Sequence, residues 1–211
     1  EEARQIRDLM DEVEGKLAEA ARGIAREHRD LYKRWIRDKW GTDADTVQAA
    51  RTRIRRELMP RYREAVQKAA EEAFKRGRDI AVDQNPWIKP FQPPGGARGM
   101  ADSQTDALTI NIANIAEEMF QRQDGWLAQQ TADQMNAMPP DAGRPGRGNL
   151  QLDLLEESTW EDMAGKATTK ANQQGRDAAM RPADEATDGQ VVATRNEVLD
   201  ENTCDFCESV D

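Results

Sequence analysis

The sequence predicts a mainly α protein of long antiparallel amphipathic helices, coiled-coil-like in character, followed by the start of a small α+β domain at the C-terminal end. Three observations predict it. Ala, Arg, Glu and Gln dominate, residues that lose little on entering a helix, while aromatics are only 5%. Apolar residues recur at steps of three and four through four long stretches. Proline and glycine gather in two short stretches, as punctuation between helices. With 37% hydrophobic and 33% charged residues, apolar surface is spread thinly, which suits extended helices better than a compact globule.

The elements follow in order. From Glu1 to Trp40 the apolar stripe is Ile6, Leu9, Val13, Leu17, Ala20, Ile24, Leu31 and Trp35, with His28 in the one gap. Gly41 ends this helix, and Thr42, Asp43 or Asp45 can cap the next. Val47, Ile54, Leu58, Tyr62, Ala65, Ala69 and Ala73 continue the period in a second helix that completes an N-terminal hairpin, 1–84, with Pro60 expected to bend or divide it near Leu58. Residues 85–101 form a Pro/Gly-rich arm or linker, within "DQNPWIKPFQPPGGARG". Its Trp87, Ile88 and Phe91 are too apolar for a solvated linker; they dock on a partner's surface or pack back on the chain's own helices. Residues 102–149 hold a third helix, with Leu108, Ile112, Ile115, Met119 and Trp126 at heptad-like spacing, and the loop "MPPDAGRPGRGN". A fourth helix runs from about Leu150 to Met180, with Leu152, Leu155, Met163, Ala167 and Ala171 on one face, and ends before Pro182. The β-branched and turn-forming residues after it predict short strands or a hairpin. The expected arrangement is two antiparallel helical pairs.

No run approaches the ~20 apolar residues of a bilayer span, and the start carries no export signal, so no membrane is expected as a partner. Residues 1–84 hold 20 basic against 18 acidic residues and 85–211 hold 10 against 22, so the second half repels phosphate, and nucleic acid, if bound, meets the first half. Residue 1 is Glu, and the sequence stops inside a cysteine motif, which predicts that both ends are cuts within a longer protein.

Catalytic residues are scarce. His28 is the one histidine, and its Arg/Glu surroundings read as an ordinary surface or interface position. There is no phosphate-cradling G-x-x-x-x-G-K-[ST] or G-x-G-x-x-G. Glu117–Glu118 and Glu156–Glu157 are adjacent on helices and point apart, as solvated residues do. "REHRDLYKRWIRDKW" and "RTRIRRE" interleave Arg26 to Arg56 with aromatics, a pattern that suits backbone phosphate and bases, although Glu27, Asp30, Asp38 and Glu57 offset it. Cys204 and Cys207, the only cysteines, are spaced to supply half a tetrahedral metal site, to close a small redox disulfide, or simply to pack.

The Ala/Gln/Arg-rich helix ending "ANQQGRDAA", a short connection and "VLDENTCDFCESVD" together resemble the Mu F-like minor head proteins, the head morphogenesis family of tailed bacteriophages. The likeness covers roughly 150–211 and rests on Gly175, Arg176, Asp200, Thr203, Cys204, Cys207 and Asp211. The family's pattern continues to a histidine and further cysteines, so the resemblance implies a thiol or zinc cluster that residues beyond Asp211 would complete. It implies a non-enzymatic, low-copy virion component, at the portal vertex inside the head, acting in head assembly and DNA ejection. Its partners would be the portal protein, other copies of itself and packaged DNA. On this reading Trp87, Ile88 and Phe91 in the arm and Trp35, Trp40 and Trp126 on the helices are the docking anchors. The rivals are a DNA-contacting protein using Arg26 to Arg56, a thiol oxidoreductase using Cys204 and Cys207, and a helical scaffold of an unrelated complex.

Overall fold

The structure, a computed structural model, describes residues 2–39, 44–92, 102–137 and 150–187. Four helices carry the fold: α1 (Glu2–Lys39), α2 (Ala44–Gln84), α3 (Asp102–Asn136) and α4 (Glu157–Ala186), with a 3-10 helix, Pro86–Phe91, directly after α2. The mainly α expectation holds, and no strand occurs among the described residues. The expected strands near the C-terminus lie outside them.

Pairs across the interfaces define the helix directions. Glu27 meets Arg61 and Glu12 meets Arg76, so α1 and α2 are antiparallel. Arg51 meets Asp124 and Arg55 meets Glu117, making α2 and α3 antiparallel. Arg22 meets Glu157 and Glu14 accepts a hydrogen bond from Thr168, so α4 also runs against α1. Tyr62 stacks beside Trp160 and Gly77 abuts Asn172, which makes α2 and α4 parallel. This is an up-down-up-down bundle with one core shared by all four helices, rather than two separate pairs.

The two diagonals of the bundle are unequal, and small residues explain why. α4 buries Ala164, Ala167, Ala171, Gly175, Ala179 and Ala183 along one stripe, opposite Ala70, Ala73, Gly77 and Ala81 of α2. A Cβ at Gly175 would overlap the Phe74 carbonyl, with its carbon at 2.8 Å, and a Cβ at Gly77 would overlap the Asn172 carbonyl. Main chain therefore lies on main chain along α2–α4, the short diagonal. The α1–α3 diagonal is longer and is spanned by larger side chains, His28 against Phe120 and Asp124.

Both prolines expected to stop helices are tolerated. α2 continues through Pro60, which is exposed like Arg56, so the one acceptor it leaves unpaired lies on the solvated side. α4 does not end before Pro182 but runs to Ala186, because Ala179 and Ala183 on either side of it are held in a buried contact. Thr187 closes the end, donating from N and Oγ1 to the Ala183 carbonyl at 3.1 and 2.8 Å.

The start of the fourth helix also differs from expectation: residues 150–156 are extended, and α4 begins at Glu157. Three glutamines of α3 hold this segment as a neighbouring strand would. Gln134 exchanges hydrogen bonds with the carbonyl and amide of Gln151, Gln130 does the same with Asp153, and Gln123 accepts from the Leu155 amide at 3.3 Å. Leu150 and Leu152 alternate inward between these bonds, the period of an extended chain.

At the bundle centre Tyr62 lies edge-on to Phe120 at 6.3 Å and nearly parallel to Trp160 at 6.5 Å. Burial raises the Tyr62 phenol above its ordinary range. The Tyr62 Oη and Trp160 Nε1 are buried without a protein partner. A buried hydroxyl that makes no bond carries a desolvation cost with no return. Tyr62→Phe should therefore leave the urea midpoint unchanged or raise it, by up to about 1 kcal/mol; a clear loss would show that the hydroxyl is satisfied, by buried water for instance.

Candidate functional site

Residues 85–92 of the arm expected between the hairpin and the third helix are seated by their own side chains, and 93–101 lie outside the described residues. Asn85 donates to the Ala81 carbonyl at 3.0 Å, and Gln92 donates to the Ala179 carbonyl at 2.8 Å, which ties both ends of the 3-10 helix to α2 and α4. Ile88 is fully buried against Ala81, Ala179 and Ala183. Trp87 and Phe91 stay 46% and 37% exposed. The three anchors thus divide: Ile88 packs on the chain's own helices, while Trp87 and Phe91 stay exposed, as do Pro86 and Pro90. Ile88→Ala should cost about 2 kcal/mol in urea denaturation, the low end for a buried aliphatic because its pocket is small. Trp87→Ala and Phe91→Ala should each change the midpoint by less than about 0.5 kcal/mol.

The other expected anchors are scattered. Trp35 is half-buried beneath the Arg53 guanidinium, 4.4 Å from the ring centroid, an intramolecular cation–π contact. Trp40 lies outside the described residues. Trp126 is 42% exposed on α3, remote from the buried stripe expected to include it. The buried row of α3 advances in steps of four, Ile115, Met119, Gln123, Leu127 and Thr131, so a heptad extrapolated from Met119 lands one residue short of Leu127.

His28, expected at the surface or at an interface, is fully buried where α1 meets α3. It stacks on Phe120 with centroids 4.8 Å apart, and its Nε2 lies 3.3 Å from Asp124 Oδ1, which as a carboxylate only accepts, so Nε2 carries the proton. Asp124 Oδ2 accepts from Arg51 Nε at 2.9 Å and from Nη2. Burial pushes the Asp124 carboxyl up, but the hydrogen bonds from His28 and Arg51 outweigh it and hold the group below its ordinary range. Tyr32, on the same side of α1, is raised by burial and then by the Asp124 charge, with Arg51 opposing. His28 Nδ1 has no protein partner, and no substrate reaches a ring sealed from solvent in this conformation. The cluster joins α1, α2 and α3 as a clamp.

Part of the basic stretch Arg26 to Arg56 is used internally, as is Arg61 beyond it, while Arg26 and Arg34 are exposed. Arg51 is on Asp124, Arg53 on Trp35, Arg55 on Glu117 and Arg61 on Glu27. Arg56 and Arg63 line an open groove on the outer side of α2, shared with Glu64. Of the family-like residues, Gly175 lies in the α2–α4 seam, and Arg176 donates to Gln84 Oε1 at 2.9 Å. Asp200, Thr203, Cys204, Cys207 and Asp211 lie outside the described residues. Among the described residues no His, Cys, Asp and Glu group of three or more is placed to hold a metal, and no helix is long and apolar enough to cross a membrane.

These features define the class as a four-helix bundle with two exposed aromatics, Trp87 and Phe91, on the 3-10 helix that follows α2. No protein-family model, curated protein or solved structure matches the chain.

Proposed function

We propose that this protein is a non-enzymatic structural component of a tailed bacteriophage head, a minor head protein that docks on the portal protein through Trp87 and Phe91. The observation that carries the docking surface is that division of the arm: Ile88, Asn85 and Gln92 hold the 3-10 helix while two large aromatics remain outside. Large aromatics presented on a rigid base lose little entropy on binding and are favoured as hot spots. The phage assignment is supported by the D-x-x-T-C-x-x-C sequence ending at Cys207 and the helix before it. DNA contact through Arg26 to Arg56 is the second reading: Arg51, Arg53 and Arg55 are occupied within the bundle, whereas Arg26, Arg34 and Arg56 are exposed.

The test is a pull-down with the portal protein encoded beside this one, at low and high salt. Apolar docking predicts capture that persists at high salt and is lost in the Trp87→Ala/Phe91→Ala double variant, with the variant's melt unchanged. Capture that vanishes with salt in the unaltered protein supports phosphate or ion-pair recognition instead. No capture under either condition removes the portal from this reading.

A further inference from the structure

The four helices are not held by the same kind of contact. Six polar or charged residues are buried among the described residues, and four of them, Asn111, Gln123, Asp124 and Thr131, are on α3; a fifth, His28, is bonded to Asp124. α3 meets α2 through Arg51–Asp124 and Arg55–Glu117 and holds segment 150–156 through glutamine side chains. By contrast, α2 and α4 meet through alanines and glycines in main-chain contact.

Polar contacts exchange for water at little net cost, whereas buried apolar area does not. Moreover, His28 Nδ1, Tyr62 Oη and Gln123 Nε2 are unpartnered in the closed bundle, at or beside the slot where Phe120 sits between His28 and Tyr62. Withdrawing α3 would hydrate these atoms, a gain that sets against the loss of Leu108, Ile115, Ala116, Met119, Phe120 and Leu127 from the core. The sequence joining α3 to its neighbours is rich in proline and glycine on both sides, at 93–99 and 139–148.

We propose that α3 is a releasable element of this bundle, leaving α1, α2 and α4 assembled and opening the Phe120 slot between His28 and Tyr62. The bundle then has two states, closed and open. The clamp at Asp124 sets the balance between them.

Hydrogen exchange on the full chain, read by mass spectrometry, tests this. The amides of α3 should exchange as one group with those of Gln151, Asp153 and Leu155, whose acceptors are α3 glutamines, about tenfold or more faster than amides around Gly77 and Gly175. Asp124→Asn should accelerate the α3 group about a hundredfold further and leave it ahead of the Gly77 and Gly175 region. Exchange of α3 and the α2–α4 seam at one common rate in the unaltered protein overturns the proposal, and that comparison decides alone if the variant does not fold.

Discussion

Gly175→Ala is expected to destabilise the bundle by about 2–3 kcal/mol, although alanine is the better helix former by about 1 kcal/mol. The added carbon would overlap the Phe74 carbonyl and approach the Arg78 amide nitrogen at 3.1 Å. Both are main-chain atoms of α2, which cannot rotate out of the way as a side chain would. α4 must move off α2, and the alanine stripe from Ala164 to Ala183 loses contact along its length. Gly77→Ala meets the Asn172 carbonyl in the same way. The double variant should cost less than the two singles summed, because a seam opened by one methyl admits the second. Gly23 and Gly125 supply the control: with nothing within 4 Å of an added carbon, alanine there should stabilise by up to about 1 kcal/mol. Urea midpoints with constant slope decide between these signs. If all four substitutions stabilise, the main-chain seam is wrong.

The contrast between these glycines marks what was legible in the sequence. Helix existence was, since apolar steps of three and four are a local property: Val13, Leu17, Ile24 and Leu31 of α1 and Ile54, Leu58, Tyr62 and Ala73 of α2 are all buried as the period predicts. The same period placed His28 on the buried stripe, and there it lies; residue chemistry argued for the surface, and geometry prevailed because Asp124 supplies a partner. That partner is 96 residues away, which no local pattern reveals. α3 was misread for a related reason. Its buried row includes Gln123 and Thr131, polar residues that an apolar count skips, so the stripe was extended to Trp126 instead. The segment 150–156 carries leucines at both helical and alternating spacing, and only its pairing with the α3 glutamines selects the extended form. Of the docking anchors, the sequence identified Trp87, Ile88 and Phe91 as a group, but which of them faced inward depended on a pocket formed jointly by α2 and α4.

Acid should loosen the bundle through Asp124. Its carboxyl is held below the ordinary range in the folded state, because the bonds from His28 and Arg51 outweigh the opposing effect of burial. A group with a depressed folded value contributes stability that is present above its unfolded value, about 3.9 for aspartate, and is lost as pH falls through the folded value. Removing one partner of a buried pair typically costs 3–5 kcal/mol; about 3 is expected for Asp124→Asn, since the Arg51 side chain is 36% exposed and can recover some hydration. Other carboxylates complicate the profile. Glu27 and Glu117 are also lowered, first by hydrogen bonds from Arg61 and Arg55, but these pairs lie at the surface and weaken in salt. Glu14 acts in the opposite sense, because burial raises it against the Thr168 hydrogen bond, so its protonation favours the fold as pH drops. The comparison is therefore made in about 0.5 M salt, where exposed pairs are screened. It runs from about pH 5 to about pH 2.5, below the range in which an unfolded histidine titrates. The unaltered protein should lose urea resistance across this interval, and Asp124→Asn should start lower and lose much less. Parallel acid profiles for the two proteins would mean that Asp124 is not the carboxylate holding α3 to α1 and α2.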